Sequence, residues 1–295
     1  MTPESPAGAP DPRPIAPWLT LAALLLVAVP GAVRATVTPA PAVGPAATAA
    51  GSPAAAATKA PSYPRRVVSD LGALLSGPSR LDAAGWRRLG LGVAAVGLTA
   101  AFDESLRDVV QDHRSAGSDR FARAVRPLGQ LGAVALVGGA WIAGDISDNP
   151  ALTAVGKDGI EASLLAAGLL APVLERASGR ARPETGEGPH SFHPFSGDVS
   201  FPSGEVTEAF AVASVISAHS RQPWVKGIAW GAAGLVGWER MNLDRHWASD
   251  VVAGALLGTG IGEWVVHRQR ARGPDRVLAW TVAPTDRGAA VVLTW

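Results

Sequence analysis

The residues with the clearest chemical potential form a short cluster near the C-terminal end of the chain. Arg240 is followed by five residues and then His246, and three more residues separate His246 from Asp250. Residues at this spacing share a helix face, so Asp250 could hold one imidazole nitrogen while the other attacks an electrophile. Because His246 lies where a helix should begin, a phosphate is favoured there, and the guanidinium of Arg240 could bind its oxygens. The alternative is a surface arginine, a capping histidine and a solvated aspartate.

Two further polar clusters precede this one along the chain. Ser203 and Gly204 come just before a predicted helix, where a hydroxyl and free backbone N–H groups can bind an oxyanion, although an ordinary helix cap looks the same. Arg176, Arg180 and Arg182 lie close together after another predicted helix, where cations are also common because of the helix dipole alone. Three clusters in this order predict one anion pocket built from distant parts of the chain.

Apolar helical stretches separate these clusters and must position them. Ala, Leu and Gly dominate the stretches and alternation of β-branched residues is scarce, which favours helices over strands. The predicted core helices lie near 86–102, 127–144, 158–175, 205–219, 224–238 and 246–267, with shorter pieces near 67–76 and 103–126. The predicted fold class is therefore all-α, a six-helix core bundle. A small C-terminal β-hairpin is predicted at 276–295, where two apolar segments flank a turn-forming run.

Overall composition restricts the class of protein. Hydrophobic residues make up 47% of the chain and charged residues 17%, which predicts either a large helical core or a membrane protein. The formal net charge is +1 and no long basic run is interleaved with aromatic residues, so we expect no nucleic-acid partner. The chain has no cysteine, which excludes disulfides, thiolate chemistry and thiolate metal sites.

The N-terminal part of the chain has the composition of a targeting segment followed by a linker. An apolar run at Ile15 to Val29 ends at a Pro-Gly pair and is followed by small residues that suit signal peptidase. We therefore interpret residues 1–35 as a signal peptide or N-terminal anchor. Residues 36–65 are rich in Ala and Pro and predict a disordered linker. The helical domain is predicted at 66–275.

Membrane association is the remaining question of organisation. None of the predicted helices reaches the roughly 20 uninterrupted apolar residues that a membrane span needs. Arginines after the last helix and tryptophans near helix ends are nevertheless typical of membrane flanks. We expect an exported protein, periplasmic or membrane-associated, and soluble or peripheral in preference to integral.

The three clusters together resemble the signature of the type 2 phosphatidic acid phosphatase and vanadium haloperoxidase superfamily. That signature reads Lys-x6-Arg-Pro, then Pro-Ser-Gly-His, then Ser-Arg-x5-His-x3-Asp. The matching residues are Arg182-Pro183, Pro202-Ser203-Gly204, Arg240, His246 and Asp250. The resemblance covers residues 160–266 well and the preceding helices loosely. It implies a helical core of the acid phosphatase and haloperoxidase type.

The resemblance also implies a role for each matching residue. His246 would be the nucleophile that forms a phosphohistidine, and Asp250 would orient it. The phosphoryl oxygens would be held by Arg182, Arg240, Ser203 and the backbone amide of Gly204. No metal and no cofactor are implied.

Two positions depart from the family pattern in a way that changes the charge of the site. Glu175 stands in the place of the first lysine and Glu205 in the place of the second-motif histidine, which is thought to protonate the leaving group. A third, milder change puts Glu239 in the place of a serine. Two ionised carboxylates a few Å from a phosphate dianion would repel it by about 1 to 4 kcal/mol each at effective dielectric constants of roughly 80 to 20.

Three arrangements would relieve this repulsion. Arg176 or Arg180 could supply the missing cation and pair with Glu175. Glu205 could be protonated by burial and act as the general acid. Alternatively, the two glutamates and His246 could hold a cation.

The leading functional prediction is a phosphatase that works through a phosphohistidine without a metal. Its substrate would be a phosphorylated small molecule or a lipid phosphate, with a membrane surface as a further contact. The alternative is a catalytically degenerate member that retains the fold for binding or structure. A vanadate-dependent haloperoxidase is a third reading, but the loss of two cationic or proton-donating positions would weaken vanadate binding at least equally.

Overall fold

The structure, a computed structural model, describes residues 62–77, 79, 81–129, 131–272, 279–285 and 288–294. Helices dominate these residues, which confirms the predicted all-α class. The α-helices of the described part are α1 (Tyr63–Leu75), α2 (Ala83–Ala100), α3 (Asp103–Asp112), α4 (Ala116–Val125), α5 (Leu131–Ile146), α6 (Pro150–Leu165), α7 (Ala171–Ser178), α8 (Gly204–His219), α9 (Pro223–Asn242) and α10 (Ala248–Arg272). A π-helical turn, Ala166–Leu170, joins α6 to α7, and 3-10 turns lie at Arg126–Gly129 and Pro183–Thr185.

The helix boundaries differ from the sequence prediction in two informative places. The single helix predicted at 158–175 is part of a longer run, because α6, the π-helical turn and α7 follow one another without a break. The first helix begins at Tyr63, inside the predicted linker, since Pro64 fits the first turn of a helix where its missing N–H is not needed. The predicted signal or anchor and the rest of the linker lie outside the described residues.

Helix α8 lies at the centre of the fold and packs against α6, α9 and α10. One buried apolar cluster joins α8 to α9 and α10 through Val206, Val236 and Val251. A second joins α8 to α6 and α10 through Val215 and Val265. The motif residues at the start of α8 are therefore fixed against both helices that follow them in the chain.

A row of glycines brings α10 against α8. Gly254, Gly258 and Gly262 recur every four residues and so share one helix face. A Cβ atom on Gly258 would lie 2.2 Å from the carbonyl oxygen of Thr207, and one on Gly254 would lie 2.6 Å from that of Ser203. Only glycine permits this approach, so the two helices meet backbone to backbone. We call this contact the glycine seam.

A buried ionic network attaches α1 to the rest of the bundle. Arg66 binds Asp158 and Glu161, in both cases at 2.6 Å, and Asp70 accepts hydrogen bonds from Arg272 at 2.5 and 2.7 Å. Burial, together with Asp70, raises the pKa of Glu161 to about 7. Hydrogen bonds from Arg272 and its neighbours outweigh burial at Asp70 and lower its pKa to about 2.

The apolar surface is extensive on α2 and α5. Leu91, Leu98, Leu131 and Ile146 are all more than two-thirds exposed. In the part of the chain that the structure describes, no single helix combines the length and the apolar character of a membrane span. Two bent pairs of consecutive helices do combine them, Ala83–Ala100 with Asp103–Asp112 and Ala116–Gly129 with Leu131–Ile146.

Two strands lie near the C-terminus. The first, β1 (Ala279–Thr285), pairs antiparallel with β2 (Gly288–Thr294), so that Ala279 lies opposite Thr294. The C-terminal hairpin predicted at 276–295 is nevertheless not supported as part of the fold.

Candidate active site

His246 lies two residues before α10 and is almost completely buried. Its Nδ1 is 2.8 Å from the carbonyl oxygen of Ser200, so Nδ1 carries the proton and donates it to that oxygen. Its Nε2 makes no hydrogen bond among the described residues, and it lies 3.5 Å from Oε2 of Glu205. The backbone of the second cluster therefore orients the imidazole and directs Nε2 towards Glu205.

Asp250 organises the site without the direct hydrogen bond that its spacing from His246 predicts. Its Oδ2 lies 3.8 Å from Nδ1 of His246, which is beyond hydrogen-bond distance. The reason is that His246 precedes the helix, so the two residues do not share a helical face. Asp250 instead accepts hydrogen bonds from Ser200 Oγ at 2.7 Å and from the backbone N–H of Trp247 at 2.9 Å. It thus holds both neighbours of the imidazole in place.

Arg180 is the cation that compensates Asp250. Its guanidinium binds Asp250 at 2.6 Å and Asp103 at 2.8 Å, and all three side chains are buried. Asp103 also accepts hydrogen bonds from the backbone N–H and the hydroxyl of Ser249. This network ties α3 to the start of α10, and no sequence pattern pointed to Asp103 or Ser249.

Glu205 bridges the second and third clusters. Its Oε1 accepts a hydrogen bond from Nη1 of Arg240 at 2.7 Å, while Glu239 binds the other side of the same guanidinium at 2.5 and 2.6 Å. Although burial would raise the pKa of Glu205, His246 and Arg240 outweigh it and lower the pKa to about 2. Glu205 is therefore ionised near neutral pH, which does not support the expectation of a proton held there.

The pKa of His246 shifts in the opposite direction to that of Glu205. Burial alone would lower its pKa, but the carboxylates of Asp250 and Glu205 outweigh burial and raise it. The two shifts reinforce each other, because the carboxylates favour a protonated imidazole and the imidazole favours an ionised Glu205.

A cavity of 560 Å³ adjoins this pair. Its polar wall contains Glu175, Arg182, Gly204, Glu205 and Glu208. Its apolar wall is formed mainly by α5 and α6, through Leu131, Val134, Ile160 and Leu164. The cavity therefore joins a charged end to an apolar flank.

Two predicted anion-binding side chains carry polar atoms that remain available to a ligand. In the described structure, Nε of Arg182 is buried without a hydrogen-bond partner, and the one ion pair of its guanidinium is a loose contact of 3.9 Å with Glu184. Ser203 is the N-cap residue of α8, yet its buried hydroxyl makes neither a capping bond nor any other described hydrogen bond. Both atoms can bind an oxyanion without first breaking a strong contact.

The charge of Glu175 is not compensated as the sequence had suggested. Arg180 is committed to Asp103 and Asp250, while Arg176 is exposed and donates to the carbonyl oxygen of Pro172. Neither pairs with Glu175. Burial raises the pKa of the Glu175 carboxyl. A cation held by the two glutamates and His246 has no support either, because the described residues contain no group of three or more metal-binding side chains.

The comparisons with known proteins match the part of the chain that contains the three clusters. Residues 160–274 match the family model described as PAP2 superfamily. The chain is 41% identical over 66 residues to a lipid A 1-phosphatase of Porphyromonas gingivalis, covering 22% of this chain and 15% of the relative. It is 38% identical over 99 residues to a lipid A 1-phosphatase of Rhizobium etli, covering 31% of this chain and 40% of the relative. The chain thus spans less than half the length of these curated relatives.

A match among solved structures is LpxE of Aquifex aeolicus. It is 22% identical to this chain, with a TM-score of 0.45. The match covers 56% of this chain and 95% of LpxE.

Proposed function

We propose that this chain, of which residues 160–274 match the PAP2 superfamily model, hydrolyses lipid phosphomonoesters through a phosphohistidine at His246. The observation that carries the proposal is the position of the Glu205 carboxylate. It binds Arg240 at 2.7 Å and faces Nε2 of His246 at 3.5 Å. An anion thus already occupies the space between a buried cation and the predicted nucleophile, as a phosphoryl group would.

The first chemical step starts from the proton that His246 and Glu205 share. Transfer of the Nε2 proton to Glu205 leaves a neutral imidazole with a free lone pair and a protonated carboxyl group. Nε2 then attacks phosphorus, and the N–P bond forms as the ester P–O bond breaks. Protonated Glu205 gives its proton to the leaving alcohol oxygen.

The second step regenerates the enzyme. Glu205, now ionised, accepts a proton from a water molecule as the water oxygen attacks phosphorus. The N–P bond breaks, and inorganic phosphate leaves. During both steps the guanidinium of Arg182, the hydroxyl of Ser203 and the amide of Gly204 stabilise the negative charge on the phosphoryl oxygens.

The apolar flank of the cavity supports a lipid as the substrate. Leu131, Val134 and Leu164 line the cavity and are also exposed at the surface, so the cavity opens onto an apolar face. Large exposed apolar patches mark sites of contact with membranes or other proteins. The curated relatives, named as lipid A 1-phosphatases, are consistent with this choice. We therefore propose that the protein works at a membrane surface.

Trapping of the covalent intermediate tests the proposal. The protein is mixed with a ³²P-labelled phosphomonoester and quenched in alkali, where phosphohistidine is stable. We expect acid-labile label on the wild type and none on His246→Asn, whereas His113→Asn, which changes an exposed histidine far along the chain, should retain it. Label that persists in His246→Asn, or hydrolysis with no labelled protein, would refute the mechanism.

A second candidate function is a non-catalytic member of the family that binds ligands in the same cavity. The observation that favours it is that Arg240 is already bound on two sides, by Glu205 and Glu239. This candidate predicts that phosphate or a phosphonate binds without any turnover across pH 4 to 8 in a protein that is folded by circular dichroism.

A further inference from the structure

We propose that the preferred substrate carries an ammonium group close to its phosphate, so that the ligand is an amino-bearing lipid phosphomonoester. This inference rests on the proposed function and concerns the part of the cavity outside the phosphoryl position. Its basis is the surplus of carboxylates over cations in the cavity wall.

The lining residues of the cavity carry three carboxylates and one cation. Glu175, Glu205 and Glu208 are the acids, and Arg182 is the sole basic side chain among the lining residues that the structure describes. Of the three acids, Glu205 is compensated by Arg240. The other two acids form no ion pair with a described residue, so a ligand cation that binds beside them would favour their ionised forms.

Glu175 is the acid best placed to receive a ligand cation. Its carboxylate makes no hydrogen bond or ion pair with any residue of the described chain, although the side chain is half-buried. Oε1 of Glu175 lies 3.1 Å from the position that a Cβ atom on Gly204 would occupy. The carboxyl group is therefore next to Gly204, the first residue of α8. This places the carboxylate next to the backbone that the phosphate would contact.

Glu208 extends the same acidic wall by one helical turn. It is buried, and its carboxyl accepts a 2.6 Å hydrogen bond from Ser163 but forms no ion pair with a described residue. Burial raises its pKa, and an ammonium group entering the cavity would oppose that shift. A ligand amine can therefore be shared between Glu175 and Glu208.

A second, independent feature indicates a ligand at the polar end of the cavity. Nε of Arg182, which lines the cavity, is buried without a hydrogen-bond partner among the described residues. Beside the lining residues Gly204 and Glu205, the buried hydroxyl of Ser203 and Nε2 of His246 also lack a described hydrogen bond. Buried polar atoms are rarely left unsatisfied unless a ligand or water completes them. Phosphoryl oxygens would satisfy Arg182 and Ser203, while the adjacent acids would hold a positive charge.

A matched pair of substrates tests the inference. An aminoalkyl phosphate and a hydroxyalkyl phosphate of equal chain length differ only in the group beside the phosphate. We expect the wild type to favour the amine by about tenfold or more in kcat/KM, as the loss of one ion pair in a partly buried site predicts. Glu175→Gln should remove most of this preference, and Glu175→Lys should reverse it.

Glu187→Gln is the control, because Glu187 is exposed and does not line the cavity. It removes the same charge and should leave the preference unchanged. Equal kcat/KM values for the two substrates in the wild type would overturn the inference while leaving the proposed function intact.

A binding measurement separates the two proposals if no substrate is hydrolysed. Calorimetry with non-hydrolysable aminoalkyl and hydroxyalkyl phosphonates reports recognition without chemistry. Tighter binding of the aminophosphonate that is lost in Glu175→Gln would support the ammonium subsite even if the phosphatase proposal fails. Equal binding of both phosphonates would reject it.

Discussion

Replacement of Glu205 by glutamine should change anion binding and turnover in opposite directions. In the structure the Glu205 carboxylate occupies the position between Arg240 and His246 that the proposed mechanism assigns to the phosphoryl group. A phosphate must displace this carboxylate before it can bind. Glutamine has nearly the same shape but no charge, so the displacement becomes easier.

The expected size of the effect follows from Coulomb's law. Two unit charges about 4 Å apart repel each other by about 1 kcal/mol in water and about 4 kcal/mol at an effective dielectric constant of roughly 20. Since about 1.4 kcal/mol corresponds to a tenfold change in affinity, Glu205→Gln should tighten the binding of inorganic phosphate by roughly fivefold to several hundredfold. Turnover should fall by about a hundredfold or more, because the variant can neither protonate the leaving group nor accept a proton from water.

Isothermal titration calorimetry with inorganic phosphate at pH 7 measures the first effect, and hydrolysis of an aryl phosphate measures the second. Glu263→Gln is the matched control, since it removes one carboxylate from an exposed position in α10 that does not line the cavity. A variant with unchanged or weaker phosphate affinity would refute the assignment of Glu205 to the anion position. An increase in both affinity and turnover would refute its role in proton transfer.

Three further predictions concern helix packing and buried charges in the helical bundle. Gly258→Ala should lower the free energy of unfolding by about 1 to 3 kcal/mol in chemical denaturation, because the new methyl group would lie 2.2 Å from the Thr207 carbonyl oxygen. Gly260→Ala is the control, since a Cβ there meets no atom within 4 Å, and it should not destabilise the protein. Arg180→Met should cost about 3 to 5 kcal/mol, since it leaves two buried aspartates uncompensated, and a loss under about 1 kcal/mol would contradict the proposed network. The pKa of Glu161 is raised from 4.5 to about 7 in the folded state. Between pH 4.5 and about 7 the folded state therefore binds more protons than the unfolded state. The contribution of Glu161 to the free energy of unfolding consequently declines as the pH rises through this range. Melting temperatures at pH 5 and pH 7.5 should therefore differ less in Glu161→Gln than in the wild type, and an equal difference would contradict the assignment.

Much of the helical framework could be predicted from the sequence because long apolar stretches rich in Ala, Leu and Gly leave few alternatives to helices. The starts of α8 and α9 were predicted within a residue. The start of α10 was placed two residues too early, because the sequence pattern could not show that His246 lies in the preceding turn. That difference of two residues separates a histidine held by Asp250 from one held by a backbone carbonyl oxygen.

The contacts around the site could be predicted only in part, and the reason is the distance between partners along the chain. Arg182, Gly204 and Glu205 line one cavity, as an anion pocket built from separate clusters requires. Asp103, by contrast, lies 77 positions before its partner Arg180, and no local spacing links the two. The Ser200 carbonyl oxygen that orients the imidazole belongs to the backbone, so the residue type at that position carries no signal for it.

The glycine seam has a consequence for how this protein can change. At Gly254, Gly258 and Gly262, α10 meets α8 closely, and none of the nearest atoms of α8 belongs to a residue that lines the cavity. Glu175 and Glu205 can therefore be exchanged for residues of another charge while the positions of His246 and Ser203 are preserved. In such a molecule the charge of the cavity wall can change while the spacing of the helices stays the same. A designed variant could therefore alter substrate preference without altering the fold.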